Sequence, residues 1–129
     1  MRAFAAARRM AGARFRPQGS DPATGLDCVG LVWAAYTAAG CVLERPRGYP
    51  LRGWSRDWVE AGLGDAGFVP AAGKRREGDV ALIAYPAGQL HLAILGSASF
   101  VHAHAGLRRV VETPLDAIGE AACWRLETR

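Results

Sequence analysis

The second half of the chain leaves little choice of topology. From Gly78 to Glu127 five short runs, GDVALIAY, LHLAILG, SFVHAHA, LRRVVETPL and AACWRLE, have the residue types of strands and are parted only by short turns. Parallel neighbours need a crossover of about a dozen residues or more, so these strands can pair only as an antiparallel meander. The pattern ahead of them is helical. Helices are predicted over residues 1–12, ending near Gly12, and over 28–39, closed by Gly40. A third, shorter one in RDWVEAGLGDAG (56–67) is capped by Ser55 and broken by its glycines. RFRPQGSDPATGL is a loop by its Pro, Gly, Ser and Asp, and ERPRGYPLRG is irregular. Helices first and strands afterwards indicate an α+β fold. A chain of 129 residues can bury one core but not two, so one domain over 1–129 is expected.

Composition narrows the function classes. Half the residues are hydrophobic and 22% are charged, as in an ordinary globular domain. No apolar run approaches the roughly 18 residues of a membrane span. The N-terminal MRAFAAARRMAGARF has arginines throughout, so it reads as an amphipathic helix and not as a secretory signal. Synthesis in the cytoplasm without a signal peptide is the expectation. The net charge of +4 is nearly all arginine, Lys74 being the one lysine. Without a tight basic cluster interleaved with aromatics it does not point to nucleic acid, and it suits an anionic polymer such as a cell wall equally well. GKRREGD is read as a solvated loop. Cys28, Cys41 and Cys123 are an odd number without CxxC spacing, which is no disulfide framework. They fit a reducing site of synthesis.

One cysteine stands out by position. In TGLDCVGLVWAAYTAAG, residues 24–40, Cys28 falls where a loop becomes an apolar helix. Backbone N–H groups at a helix start stabilise a thiolate and can receive an oxyanion. A free cysteine there can equally be core packing, and position alone does not decide. The histidines bear on it. His91, His102 and His104 are the only three in the chain, and all fall in the strand region. Adjacent antiparallel strands joined by the GSAS turn can set His91 and His102 on one face, giving a thiol, a base and a residue that fixes the base's tautomer. The competing chemistry is zinc. His102 and His104 are two apart on a strand and so share a face, and with His91 and Cys28 they would make four ligands. Scattered elements and the lack of an accompanying carboxylate-plus-histidine motif weigh against it.

These segments together resemble a known family. TGLDCVGLV resembles the DCSGLV nucleophile segment of the NlpC family of cell-wall cysteine peptidases, EGDVALIAY its strand before the histidine, and HLAILGSASFVHA its HVGIYLGNGxFIHA segment. VVETPL resembles the following strand, particularly in phage-associated and gene-transfer-agent members. The similarity runs from about Phe15 to Leu115 with the motifs in order. It implies a papain-like fold, with a nucleophile helix packed on an antiparallel sheet. It also implies hydrolysis of amides in peptidoglycan stem peptides, commonly between D-γ-glutamate and diaminopimelate.

By motif, the resemblance makes Cys28 the nucleophile, His91 the general base and His102 the residue that holds His91 in its tautomer. His104 has no family role. Asp27 falls on the aspartate that helps hold the free amine of the stem peptide, and no metal or organic cofactor is implied. Two substrate-side positions depart from the pattern: Phe15 stands where a tyrosine of a TPYxxGG context is usual, and Val29 where a serine follows the nucleophile. A chain without a signal needs a carrier to reach its substrate, and the phage-associated members point to phage-like tail-tip proteins, in a virion or gene-transfer-agent particle acting at the periplasm and cell wall. Two rivals share the fold: a structural tail or assembly protein without turnover, and an acyl-transfer enzyme.

Overall fold

The computed structural model describes residues 2–44, 55–85 and 89–126. Three helices, α1 (Ala3–Arg9), α2 (Cys28–Ala38) and α3 (Arg56–Asp65), precede most of the sheet, so the expected α+β order holds. A two-stranded hairpin, β1 (Ser20–Asp21) and β2 (Gly25–Leu26), leads into α2. The remaining strands are β3 (Phe68–Pro70), β4 (Val80–Ala84), β5 (Leu90–Leu95), β6 (Ser99–His104), β7 (Arg109–Pro114) and β8 (Ala121–Leu126). They form one antiparallel sheet in the order β3-β8-β4-β5-β6-β7.

Three sequence expectations are corrected. The meander stops at β7, and β8 returns to pair with β4. The outer edge of β7 is already occupied, because Arg14 bridges to Arg109 and the Phe15 N–H bonds to the Arg108 carbonyl. The short strand β3, which carries no long β-type run, is held by pairing with β8. The third helix is not broken at Gly62 or Gly64. It runs to Asp65 from its Ser55 cap, whose side chain accepts the Trp58 N–H at 3.0 Å. An interior glycine costs about 1 kcal/mol relative to alanine. Burial of Val59 and Leu63 on one face outweighs that. Most of ERPRGYPLRG lies outside the described residues.

Helix α2 is the centre of the core. Its first eight residues except the cap's own turn partner Gly30 carry bulky or apolar side chains that are nearly all buried, so it has no polar stripe and must be covered all round. It ends where Gly40 (φ 91°) allows the Cys41 N–H to reach the Tyr36 carbonyl and the Gly40 N–H to reach that of Thr37, a paired C-terminal stop. Against it pack α1 and one face of the sheet, through Val80, Leu82, Leu92, Ile94, Val101, Ala103 and Val110. The other face carries a smaller apolar cluster, Ala81, Ile83, Ala93, Leu95, Phe100 and Ile118, closed by the turn Leu115–Ala117. A buried charge ties the far end. Asp79, 1% exposed, accepts two bonds from Arg125 at 2.8 and 2.9 Å and one from the Arg76 N–H at 2.9 Å.

Candidate active site

The start of α2 is set by backbone packing. A Cβ on Gly30 would lie 1.8 Å from the Gly19 carbonyl oxygen, so this glycine lets the preceding loop lie directly on the helix's first turn. Asp27 then caps the helix. Its Oδ1 accepts the Gly30 N–H at 2.7 Å and its Oδ2 the Gln18 N–H at 2.8 Å. Cys28 is thereby fixed at the first helical position, 6% exposed.

The thiol meets the sheet where two strands part. Strands β5 and β6 pair at Ile94↔Val101 and Leu95↔Phe100, and the ladder goes no further towards His91. The Gly96–Ser99 bond makes Ile94/Val101 a hydrogen-bonded pair, so a continued ladder would next join the Leu92 N–H to the Ala103 carbonyl. That N–H instead acts on Cys28, where it favours the thiolate. An interruption of sheet pairing thus leaves this N–H out of the β5–β6 ladder, on the side of the sulfur.

On the sheet face away from the α2 core, His91 Nε2 lies 2.8 Å from His102 Nδ1, and His102 Nε2 lies 2.9 Å from Thr113 Oγ1. The expected neighbouring of His91 and His102 is what the structure has. One polarity of this chain leaves His91 Nδ1 unprotonated: His91 Nε2–H donates to His102, and His102 Nε2–H donates to Thr113. Thr113 closes the row and was not singled out in the sequence. Its signal was present in VVETPL, where strand register sets it directly opposite Phe100, next along the same face from His102. Tyr85 was missed too. Its ring lies 5.5 Å from that of His91, and at 41% exposed it forms an open wall of the site.

The electrostatics correct one expectation. A helix start was expected to favour the thiolate, but burial pushes the Cys28 thiol up to about 12. The N–H groups of Leu92, Val29 and Cys28 pull the other way and the Asp27 carboxylate adds to the rise; loss of water is the largest effect. His91 is held down at about 3, first by burial and then by His102 and His104, and His102 at about 4, first by burial and then by His104. The resting pair is therefore a neutral thiol and neutral imidazoles.

The remaining sequence candidates fall differently. Val29 is 4% exposed within the core, so its side chain offers nothing to a substrate, although its backbone N–H favours the Cys28 thiolate. Phe15 is half-buried, packed against the α2 core beside Leu26. Asp27 is 4% exposed and engaged as the cap. His104 lies beside His102 with ring centroids 5.6 Å apart, and its Nδ1 accepts the Leu107 N–H at 3.0 Å. The four-ligand zinc set does not converge: among the described residues no three His, Cys, Asp or Glu side chains are arranged to hold a metal. No described helix is long and apolar enough to cross a membrane.

No family model matches the chain, and no curated protein matches it by sequence. Solved structures do. The NlpC/p60 domain of the peptidoglycan hydrolase SagA is 24% identical with a TM-score of 0.61, over 94% of this chain and 94% of that one. NlpC2 from Trichomonas vaginalis is 18% identical with a TM-score of 0.70, over 96% of this chain but 45% of that one. The P60 domain of an antigen from M. avium subspecies paratuberculosis is 18% identical with a TM-score of 0.63, over 98% and 93%. The helix that carries Cys28, packed on a six-stranded antiparallel sheet that carries the histidines, is the papain-like fold of NlpC/p60 domains.

Proposed function

We propose that the protein is a cysteine peptidase, one domain over 1–129, that cuts an amide in peptidoglycan stem peptides, with the D-γ-glutamyl-diaminopimelate bond as its target. The observation that carries this is the row His91–His102–Thr113, hydrogen-bonded at 2.8 and 2.9 Å, with Cys28 at the start of α2 acted on by the N–H of Leu92, the residue next to His91. Likeness of fold to the domain of a peptidoglycan hydrolase supports it. With a neutral thiol at rest, attack and proton transfer go together. Cys28 Sγ adds to the scissile carbonyl while its proton passes to His91 Nδ1, and N–H groups at the start of α2 receive the oxyanion. The C–N bond then breaks, His91 returns the proton to the leaving amine, and the acyl group stays on sulfur as a thioester. Water, giving a proton to His91, adds to the thioester carbonyl; the C–S bond breaks, His91 returns the proton to the Cys28 sulfur, and the acid leaves. Asp27, the amine-holding aspartate by resemblance, acts through its cap position beside the sulfur. Carriage by a phage-like tail tip or gene-transfer-agent particle is supported by the resemblance of VVETPL alone.

Burial of the thiol favours a second reading, an assembly protein that keeps the fold without turnover. Mass spectrometry of muropeptides after incubation with wild type and with Cys28→Ala separates the two. Fragments cut within the stem peptide by wild type alone are expected and would identify the bond. Intact muropeptides with both proteins would leave the assembly role.

A further inference from the structure

The histidine row continues into a row of arginines. His104 lies opposite Arg109 across β6 and β7, and Arg109 lies opposite Arg14 on the next segment. Bonds from the Phe15 N–H to the Arg108 carbonyl and from the Val110 N–H to the Ala13 carbonyl flank that bridge. They make Arg14/Arg109 a non-hydrogen-bonded pair, the arrangement that brings side chains closest. Side chains opposite one another share a face, so His102, His104, Arg109 and Arg14 all lie on the histidine face. Arg16, two residues on from Arg14, extends the row. Its Cβ sits where a side chain on Gly25 would be, 2.5 Å from the position of that absent Cβ. The Leu26 N–H bonds to the Arg14 carbonyl and the Arg16 N–H to that of Leu26, so the strip borders the strand that leads into Cys28.

Three guanidiniums in this position repel one another, and like charges directly opposite destabilise a strand pair. Arg14, Arg16 and Arg109 are exposed, and among the described residues no ion pair or side-chain hydrogen bond engages them. The nearest acid on β7, Glu112, projects to the opposite face and is taken by Arg8 and Ser99. The His104 ring, whose Nδ1 is an acceptor, has Nε2 left to donate. Such a strip lacks only an anion. Carboxylate is the group whose two oxygens match the guanidinium fork.

We propose that Arg109, Arg14 and Arg16, with His104, bind a carboxylate of the peptide whose amide Cys28 attacks, and so select substrates with a free acid on the His104 side of the scissile bond. This rests on the peptidase reading of the site, and the test separates the two. Binding is measured by calorimetry with the Cys28→Ala protein and a stem peptide in two forms, with free carboxylates and with them amidated. The acid form is expected to bind on the order of tenfold more tightly. Arg14→Gln/Arg109→Gln is expected to abolish that preference, while Arg9→Gln, an exposed arginine on α1, keeps it. Equal binding of the two peptides, or no binding of either, would overturn the proposal. So would a preference that survives in the double variant. Loss in the double variant of binding to a labelled oligonucleotide, with peptide binding unchanged, would assign the strip to nucleic acid instead. With active protein, the double variant is expected to raise KM for the acid peptide and leave kcat unchanged. Absence of cleavage by wild type in the face of a carboxylate preference would sink the peptidase reading and spare the strip.

Discussion

The hairpin of β5 and β6 has two faces made from alternate residues of the same short sequence. On one, Leu92, Ile94, Val101 and Ala103 are at most 1% exposed and lie against α1 and α2. On the other, His91, His102 and His104 stand in a row bordered by Phe100, Tyr85 and Thr113. The first face gains from every apolar atom it removes from water. The second holds imidazoles whose charged forms the burial opposes, and compensates them through hydrogen bonds to one another. Apolar packing and the hydrogen-bonded histidine row are thereby assigned to opposite sides of one ribbon. The contrast teaches which substitutions unfold the chain and which leave it folded and altered.

The largest test of that contrast is on the helix side. Ile94→Ala is expected to cost about 2–5 kcal/mol of stability, read from chemical denaturation, because the site is closed by core on every side. His102→Gln on the opposite face is expected to change stability by much less. Comparable losses from the two would end the division between faces.

Acid comes next. Folded His91 and His102 bind protons less readily than they do in the unfolded chain, where the ordinary value is 6.5. Their contribution is therefore fully present above pH 6.5 and is lost as pH falls through 6.5 towards about 4 and 3. Each proton so excluded gives a slope of about 1.4 kcal/mol per pH unit. Denaturation midpoints measured from pH 7 to 4 should fall accordingly, and less steeply in His91→Gln. A flat profile in wild type would mean the imidazoles are not shielded.

The smallest effect sharpens the chemical face itself. Thr113→Val is expected to lower kcat roughly tenfold with KM unchanged, as loss of an outer hydrogen-bond partner commonly does. Thr113→Ser, which keeps the hydroxyl, should restore it. Loss of rate in both variants would make Thr113 a packing residue and not one that orients His102.

Legibility in the sequence followed the range of the interactions. Alternation in LHLAILG and SFVHAHA marked strands and set the three histidines on one face, because pleating is a local property. The change from a Pro, Gly and Asp loop to an apolar run marked the start of α2, and Gly40 its end, because these signals are local too, while Asp27 as its cap came from the structure. The place of β8 beside β4 was not legible, since it depends on residues 12–15 having taken the edge of β7. Nor was the state of the Cys28 sulfur. A helix start speaks for the anion, but exclusion of water by parts of the chain remote in sequence speaks more strongly against it.

By itself, then, the order of residues determined the helix that Cys28 begins, the antiparallel strands from Val80 onwards and the histidine face, all written in periods of a few residues. Tertiary structure alone decided that β5 and β6 part beyond Ile94 and leave the Leu92 N–H to favour the Cys28 thiolate, and that Thr113 closes the histidine row. It likewise decided that Arg14 meets Arg109 from across the fold. Those arrangements join segments tens of residues apart, and only the packing of one core brings such segments within hydrogen-bonding distance.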